Sequence, residues 1–301
     1  MRRRQLAATL ATAVVLLGAC GGGRDDDSST GTTGATSSTT LAPTTTSTVA
    51  TTTTVTRNEP VLLSDSSGPR EVADRITAAD AVLHAPGSDD EAVATAARHQ
   101  QAAFRSLAIH PDWIEPTAAL VEPRLRDVVR DNGVAGSSLR SLTKPRPSLP
   151  SWRIVTPAPA TELEKLYRNA EYTYGVPWNV LAAVHLVETR MGRIRGTSTA
   201  GAQGPMQFLP STWKQYGEGG DINDNRDAIR AAARYLKRNG APSRIREAVY
   251  AYNHSDAYVE GVMRYAARMA ADPGAYRAYW HWQVFYRLAS GDVMLPEGWA
   301  A

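Results

Sequence analysis

Few residues in this 301-residue chain are suited to catalysis, and Glu188 is the first of them. Leu181, Val184, His185 and Glu188 fall at i, i+3, i+4 and i+7, which places them on one helical face. A carboxylate in register with an apolar stripe loses water, and its pKa rises. The last turn of a helix, where the dipole is negative, also disfavours the charged form. Arg190, Arg193 and Arg195 oppose both effects wherever they face the acid. A carboxyl kept protonated near neutral pH is what general-acid chemistry needs. The same spacing also describes an ordinary surface glutamate, so spacing alone leaves both readings open. His185 shares that face, either as a packed core residue or as a group that tunes the acid.

The second candidate is Cys20, the only cysteine. A lone thiol excludes a disulfide framework and a thiolate-rich metal site. The histidines at 84, 99, 110, 185, 254 and 281 show no metal-ligand spacing. Asp221, Asn223 and Asn225 start like a calcium loop, but Arg226 stands where the loop needs Gly and Ala232 where it needs Glu. That stretch reads as a cap and acidic first turn for the helix that follows. No metal and no cofactor are expected.

The elements that must position these residues read as helical almost throughout. Residues 71–84 put Val72, Ile76, Ala79 and Leu83 on one face. Ser88-Asp89-Asp90-Glu91 caps a second helix that runs to about residue 107, and a third spans about 116–130, interrupted at Pro123 and stopping before Asn132-Gly133. Five prolines between 144 and 159 mark a linker or an extended strap. Helices are then expected over 160–174, closed by Gly175, and 177–191, closed by Gly192. Shorter ones follow over 210–216, 225–239, 243–253, 255–271 and 273–288, and no run alternates as a strand would. The fold class is mainly α. Tyr276, Tyr279, Trp280, Trp282, Phe285 and Tyr286 read as core packing, with a sugar-binding surface as the alternative.

Arg2, Arg3 and Arg4 precede an apolar stretch from Leu6 to Leu17, the proportions of a signal peptide covering 1–19. Gly18-Ala19-Cys20 resembles a bacterial lipobox, which implies that the Cys20 thiol carries a diacylglycerol and anchors the chain outside the cytoplasm. An ordinary signal peptide beside an incidental cysteine is the alternative. Between Ser28 and Thr56, 20 of 29 residues are Ser or Thr. That composition cannot bury enough apolar surface to fold, so 20–62 reads as a disordered tether.

Downstream of Glu188-Thr189-Arg190-Met191-Gly192 the chain reads Gly204-Pro205-Met206-Gln207-Phe208-Leu209-Pro210-Ser211-Thr212-Trp213, and later Ala251-Tyr252-Asn253. These three segments, in this order, resemble the lytic transglycosylases, lysozyme-fold enzymes that cleave the glycan strands of peptidoglycan. The resemblance covers about residues 163–269, with features of the family's B-type branch. It implies a lysozyme-like helical catalytic domain over 146–290, after a helical accessory region over 63–145 and before a C-terminal tail over 291–301. It implies Glu188 as the single acid/base. It assigns Thr189 to the acetamide or the carboxylate, Gly204 to close backbone approach to the sugar, and Met206 to an apolar shelf beneath it. Gln207 would bind acetamido or hydroxyl groups, and Tyr252 would bond near Glu188 or the N-acetyl group with support from Asn253. A muramidase hydrolase on the same scaffold and a non-catalytic peptidoglycan-binding lipoprotein remain the alternatives.

The formal charge of +3 is too weak for a nucleic-acid partner. Arg2–Arg4 leave with the signal peptide, so the mature chain balances. Within it, residues 159–290 carry 17 Lys+Arg against 12 Asp+Glu. A mildly basic catalytic region suits a wall that bears peptide carboxylates.

Overall fold

The computed structural model describes residues 59–301. The signal-peptide reading, Cys20 and the Ser/Thr-rich segment up to residue 58 lie outside the described residues. What is described starts earlier than the tether reading implies: Val61–Leu62 form β1, paired with residues near the C-terminus.

Four helices come first: α1 (Pro69–Leu83), α2 (Asp90–Ile109), α3 (Ile114–Leu120) and α4 (Arg126–Ser141). Asp89 caps α2 by accepting the Ala92 N–H at 2.7 Å. A 3-10 turn at Pro123–Leu125 separates α3 from α4, because the proline ring cannot continue a helix. The expected stop before Asn132-Gly133 is absent, and α4 runs through it. The reason is packing. A Cβ on Gly133 would lie 2.8 Å from Ile114 Cγ1, and one on Gly136 would lie 2.9 Å from Ala108 Cβ. These glycines let α4 sit close against α2 and α3, which offsets their poor helix propensity.

The proline-rich stretch is a strap rather than a free linker. Arg146 N–H donates to the Arg287 carbonyl at 2.9 Å, and Ile154 N–H to the Trp299 carbonyl at 2.8 Å. Within the strap Arg153–Ile154 form β2, which pairs antiparallel with β3 (Ile194–Arg195).

Seven helices follow: α5 (Ala160–Tyr174), α6 (Trp178–Thr189), α7 (Pro210–Tyr216), α8 (Asn225–Arg238), α9 (Ile245–Tyr252), α10 (Asp256–Ala271) and α11 (Pro273–His281). Gly175 closes α5 at φ 75°. Asp224 caps α8 by accepting the Asp227 N–H at 3.0 Å, which is the role its acidic stretch was expected to play.

The expected helix over 273–288 ends at His281. Beyond it β4 (Val284–Leu288) and β5 (Gly291–Leu295) form a hairpin, with β1 on the far side of β5. Val284, Tyr286, Val293 and Leu295 pack with Trp152, Ile154, Ile194 and Trp299 in a small core of their own. The C-terminal tail expected from residue 291 is therefore strand and packed chain. The main core is shared across the strap: Phe104, Leu107 and Leu125 belong to the same buried cluster as Leu181, Val259 and Trp282. Among the described residues, no helix is long and apolar enough to cross a membrane.

Candidate active site

The α6 helix places the acid. Every residue from Val180 to Leu186 is buried, so α6 is enclosed on all sides rather than amphipathic along one stripe. Arg190, Met191 and Gly192 then take φ of 52°, 57° and 87°, which turns the chain sharply just after Glu188-Thr189. Glu188 is 4% exposed. Its burial raises its pKa to about 8, against the opposing hydrogen bond from the Tyr258 hydroxyl, 2.6 Å from Oε1. Glu188 is thus largely protonated at neutral pH.

The neighbouring basic residues leave that proton undisturbed. Arg190 donates to the Leu186 carbonyl, Arg193 to Glu297 and the Trp280 carbonyl, and Arg195 to the Asn223 carbonyl. Burial lowers the His185 pKa to about 3, with Arg195 adding to the effect, so its ring is neutral. His185 Nδ1 lies 2.7 Å from the Tyr167 hydroxyl.

Thr189 is fully buried, and its hydroxyl is occupied with backbone on both sides. It donates to the Pro205 carbonyl at 2.6 Å and accepts the Gly192 N–H at 3.0 Å. It ties the 204–207 turn to the end of α6, so its hydroxyl is engaged with backbone in this structure. Gly204, at φ 73°, allows close approach of a different kind from that expected. A Cβ there would collide with the Ile222 carbonyl oxygen, so the glycine serves a chain crossing. Gln207 turns its side-chain amide onto the Gly204 carbonyl at 2.9 Å. Met206 is completely buried in the main core, and its carbonyl accepts the Tyr252 hydroxyl at 2.7 Å. Tyr252 therefore supports the turn, and Tyr258 is the tyrosine that reaches the acid. Asn253 is 3% exposed, and its Oδ1 has no partner among the described residues.

A cleft of about 190 Å³ opens over Glu188. One wall is Val187, Glu188, Arg190, Asn253, Tyr258 and Tyr265; the facing wall is Phe104, Arg105, Leu139, Arg140, Trp282, Arg287 and Asp292. Of the aromatic cluster near the C-terminus, Trp282, Phe285 and Tyr286 line this cleft, Trp282 and Tyr286 from the two cores, whereas Tyr276 and Tyr279 are core residues outside its lining. Sequence reasoning missed Tyr258, 70 residues from its partner, and the arginines of the facing wall. The one local signal for Tyr258 is its place in the first turn of α10, after the Ser255 cap.

Residues 165–272 match the family model of the transglycosylase SLT domain. That match takes in 108 of the 301 residues. A curated relative, membrane-bound lytic murein transglycosylase F of Thiobacillus denitrificans (strain ATCC 25259 / T1), is 29% identical over 123 residues, which cover 38% of this chain. The match spans only 26% of that relative's length. No solved structure matches. The SLT domain supplies Glu188, Asn253 and Tyr258 to the cleft, while α2, α4 and the hairpin lie outside the matched span and supply the facing wall.

Proposed function

We propose that this chain is a peptidoglycan lytic transglycosylase with Glu188 as its single acid/base. The protonated carboxyl gives its proton to the glycosidic oxygen that follows N-acetylmuramate. The resulting carboxylate takes the proton of that sugar's C6 hydroxyl as its oxygen attacks the anomeric carbon. The glycosidic bond breaks, a 1,6-anhydromuramyl end forms, and no water is consumed. Tyr258 supports the second state: its O–H bond to Oε1 favours the carboxylate once the proton has left.

The observation that carries this reading is the contrast between the two carboxyl groups lining the cleft. Glu188 is buried and protonated, whereas Asp292 is held by Arg105 at 3.1 Å and by Arg140 at 2.7 and 3.3 Å. A two-carboxylate hydrolase needs a second group free to act on water, and the oxygens of Asp292 are engaged by guanidinium groups. Mass spectrometry of digested sacculi tests the reading. Anhydro ends, about one water lighter than reducing ends, are expected; reducing ends would make the protein a hydrolase. Retained sacculus binding without cleavage, alike in wild type and Glu188→Gln, would make it a binding lipoprotein.

The proposal extends to location. Cys20 would carry the lipid that holds the enzyme at the outer face of the membrane, with the Ser/Thr-rich segment as tether. Cys20→Ala should release the protein from the membrane fraction.

A further inference from the structure

The facing wall of the cleft carries more positive charge than its own acids balance. Arg105, Arg140, Arg190 and Arg287 all line the cleft, against Asp292 and a Glu188 whose burial keeps it protonated. One carboxylate needs one guanidinium for a paired, two-pronged bond. Asp292, only 6% exposed, receives two, with Arg105 and Arg140 both reaching it. Arg287 adds a third guanidinium to the group; it sits across the hairpin from Asp292, already engaged by Arg105 and Arg140, and donates to the Thr143 carbonyl at 2.8 Å. Its pKa is lowered by desolvation and by the like charge of Arg140, against the opposing charge of Asp292. Gathering like charges in a half-buried cleft is costly unless an anion shares them. These residues lie on α2, α4 and β4, all outside the SLT match, and line the same cleft as the acid.

We infer that Arg105, Arg140 and Arg287 form a carboxylate-recognition site in the same cleft as Glu188, for the acid groups carried by muramyl residues. Guanidinium groups suit this ligand because their planar fork matches a carboxylate and stays charged at any physiological pH. Two sources share the chemistry: the carboxylates of the stem peptide, and the lactyl carboxylate left bare when the peptide is removed. The site makes the cleft selective for acid-bearing glycan over neutral glycan. It deepens the peptidoglycan reading above and rests on it for the identity of the ligand.

Binding to the full-length Glu188→Gln protein tests the site without depending on turnover. Three probes are soluble glycan strands with intact peptides, strands stripped of peptide by an amidase, and intact strands whose carboxylates have been converted to methylamides. Affinity for at least one carboxylate-bearing strand should exceed that for the methylamide strand roughly 10- to 100-fold. The stronger of the two names the source. Adding Arg287→Gln, which leaves both partners of Asp292 in place, should remove most of that preference while affinity for the methylamide strand stays the same. Adding Arg140→Gln should do likewise, with thermal unfolding run alongside to verify the fold. Equal affinity for all three strands, or an equal loss on all three in the Arg287→Gln protein, overturns the site. Cleavage of sacculi by the wild type is read separately. Selective binding with no cleavage would reject the transglycosylase reading and leave the carboxylate site standing.

Discussion

The two walls of the cleft are built by different physics. The SLT wall is held by ties within the matched span: α6 ends in three left-handed residues, Thr189 pins the 204–207 turn, and Tyr252 closes it onto the Met206 carbonyl. The facing wall is assembled from remote pieces. Arg105 on α2 and Arg140 on α4 meet Asp292 on β5, at sequence separations of 187 and 152. One wall sets the proton affinity of an acid by excluding water, and the other gathers charge around a buried aspartate. If the acid acts as proposed and the arginines bind as inferred, chemistry and recognition rest on different elements and should respond to mutation separately.

The largest effect tests the SLT wall. Glu188→Gln should lower cleavage of sacculi about 10²- to 10⁴-fold, measured as released muropeptide. The same substitution should stabilise the fold. Because the folded-state pKa lies above the unfolded one, the native state holds its proton more tightly, and stability is lost as pH rises between about 4.5 and about 8. Glu188→Gln escapes that loss, so its gain in unfolding free energy should be small at the acid end and reach a few kcal/mol at the alkaline end. A pH-independent gain would break the account of the acid.

Next in size is Thr189→Val, which strands the Pro205 carbonyl and the Gly192 N–H. A loss of about 2–4 kcal/mol in denaturant unfolding is expected, with Thr189→Ser restoring most of it. In the facing wall, Gly136→Val drives a side chain into Ala108 and should cost about 1–3 kcal/mol. If the two walls are separable, this variant leaves the pH dependence of cleavage where it was. A moved alkaline limb would show that α4 helps set the acid.

The smallest effect is the finest probe of the SLT wall. Tyr258→Phe removes a bond worth about 1–3 kcal/mol to the ionised acid, so the Glu188 pKa should rise further. The alkaline limb of the rate profile should shift to higher pH. An unchanged limb would mean that burial alone sets the proton affinity.

Much of the helical layout is legible in the order of the residues, because caps and breakers act within a few positions. Asp89, Gly175, Asp224 and Ser255 mark helix ends by local hydrogen bonds or a left-handed turn. Spacing puts Glu188 in register with apolar neighbours but fits an ordinary surface glutamate equally well; the segments after it, which resemble those of lytic transglycosylases, are what single it out. The errors came where a local signal met a distant surface. Asn132-Gly133 resembles a stop, yet α4 continues because its glycines fit against Ile114 and Ala108. Residues 284–295 lack clean alternation because the hairpin serves two surroundings: Val284, Tyr286, Val293 and Leu295 enter the small core, while Phe285, Arg287 and Asp292 line the cleft.

Residue order suffices for a mainly helical chain and for where most helices begin and end. These follow from backbone and side-chain preferences that reach no farther than a turn or two. It took the folded arrangement to enclose α6 on every side, to give the acid to Tyr258 and not Tyr252, and to gather three arginines across from it. Desolvation and charge depend on what surrounds a group in space. Those surroundings come from residues tens to nearly two hundred positions away.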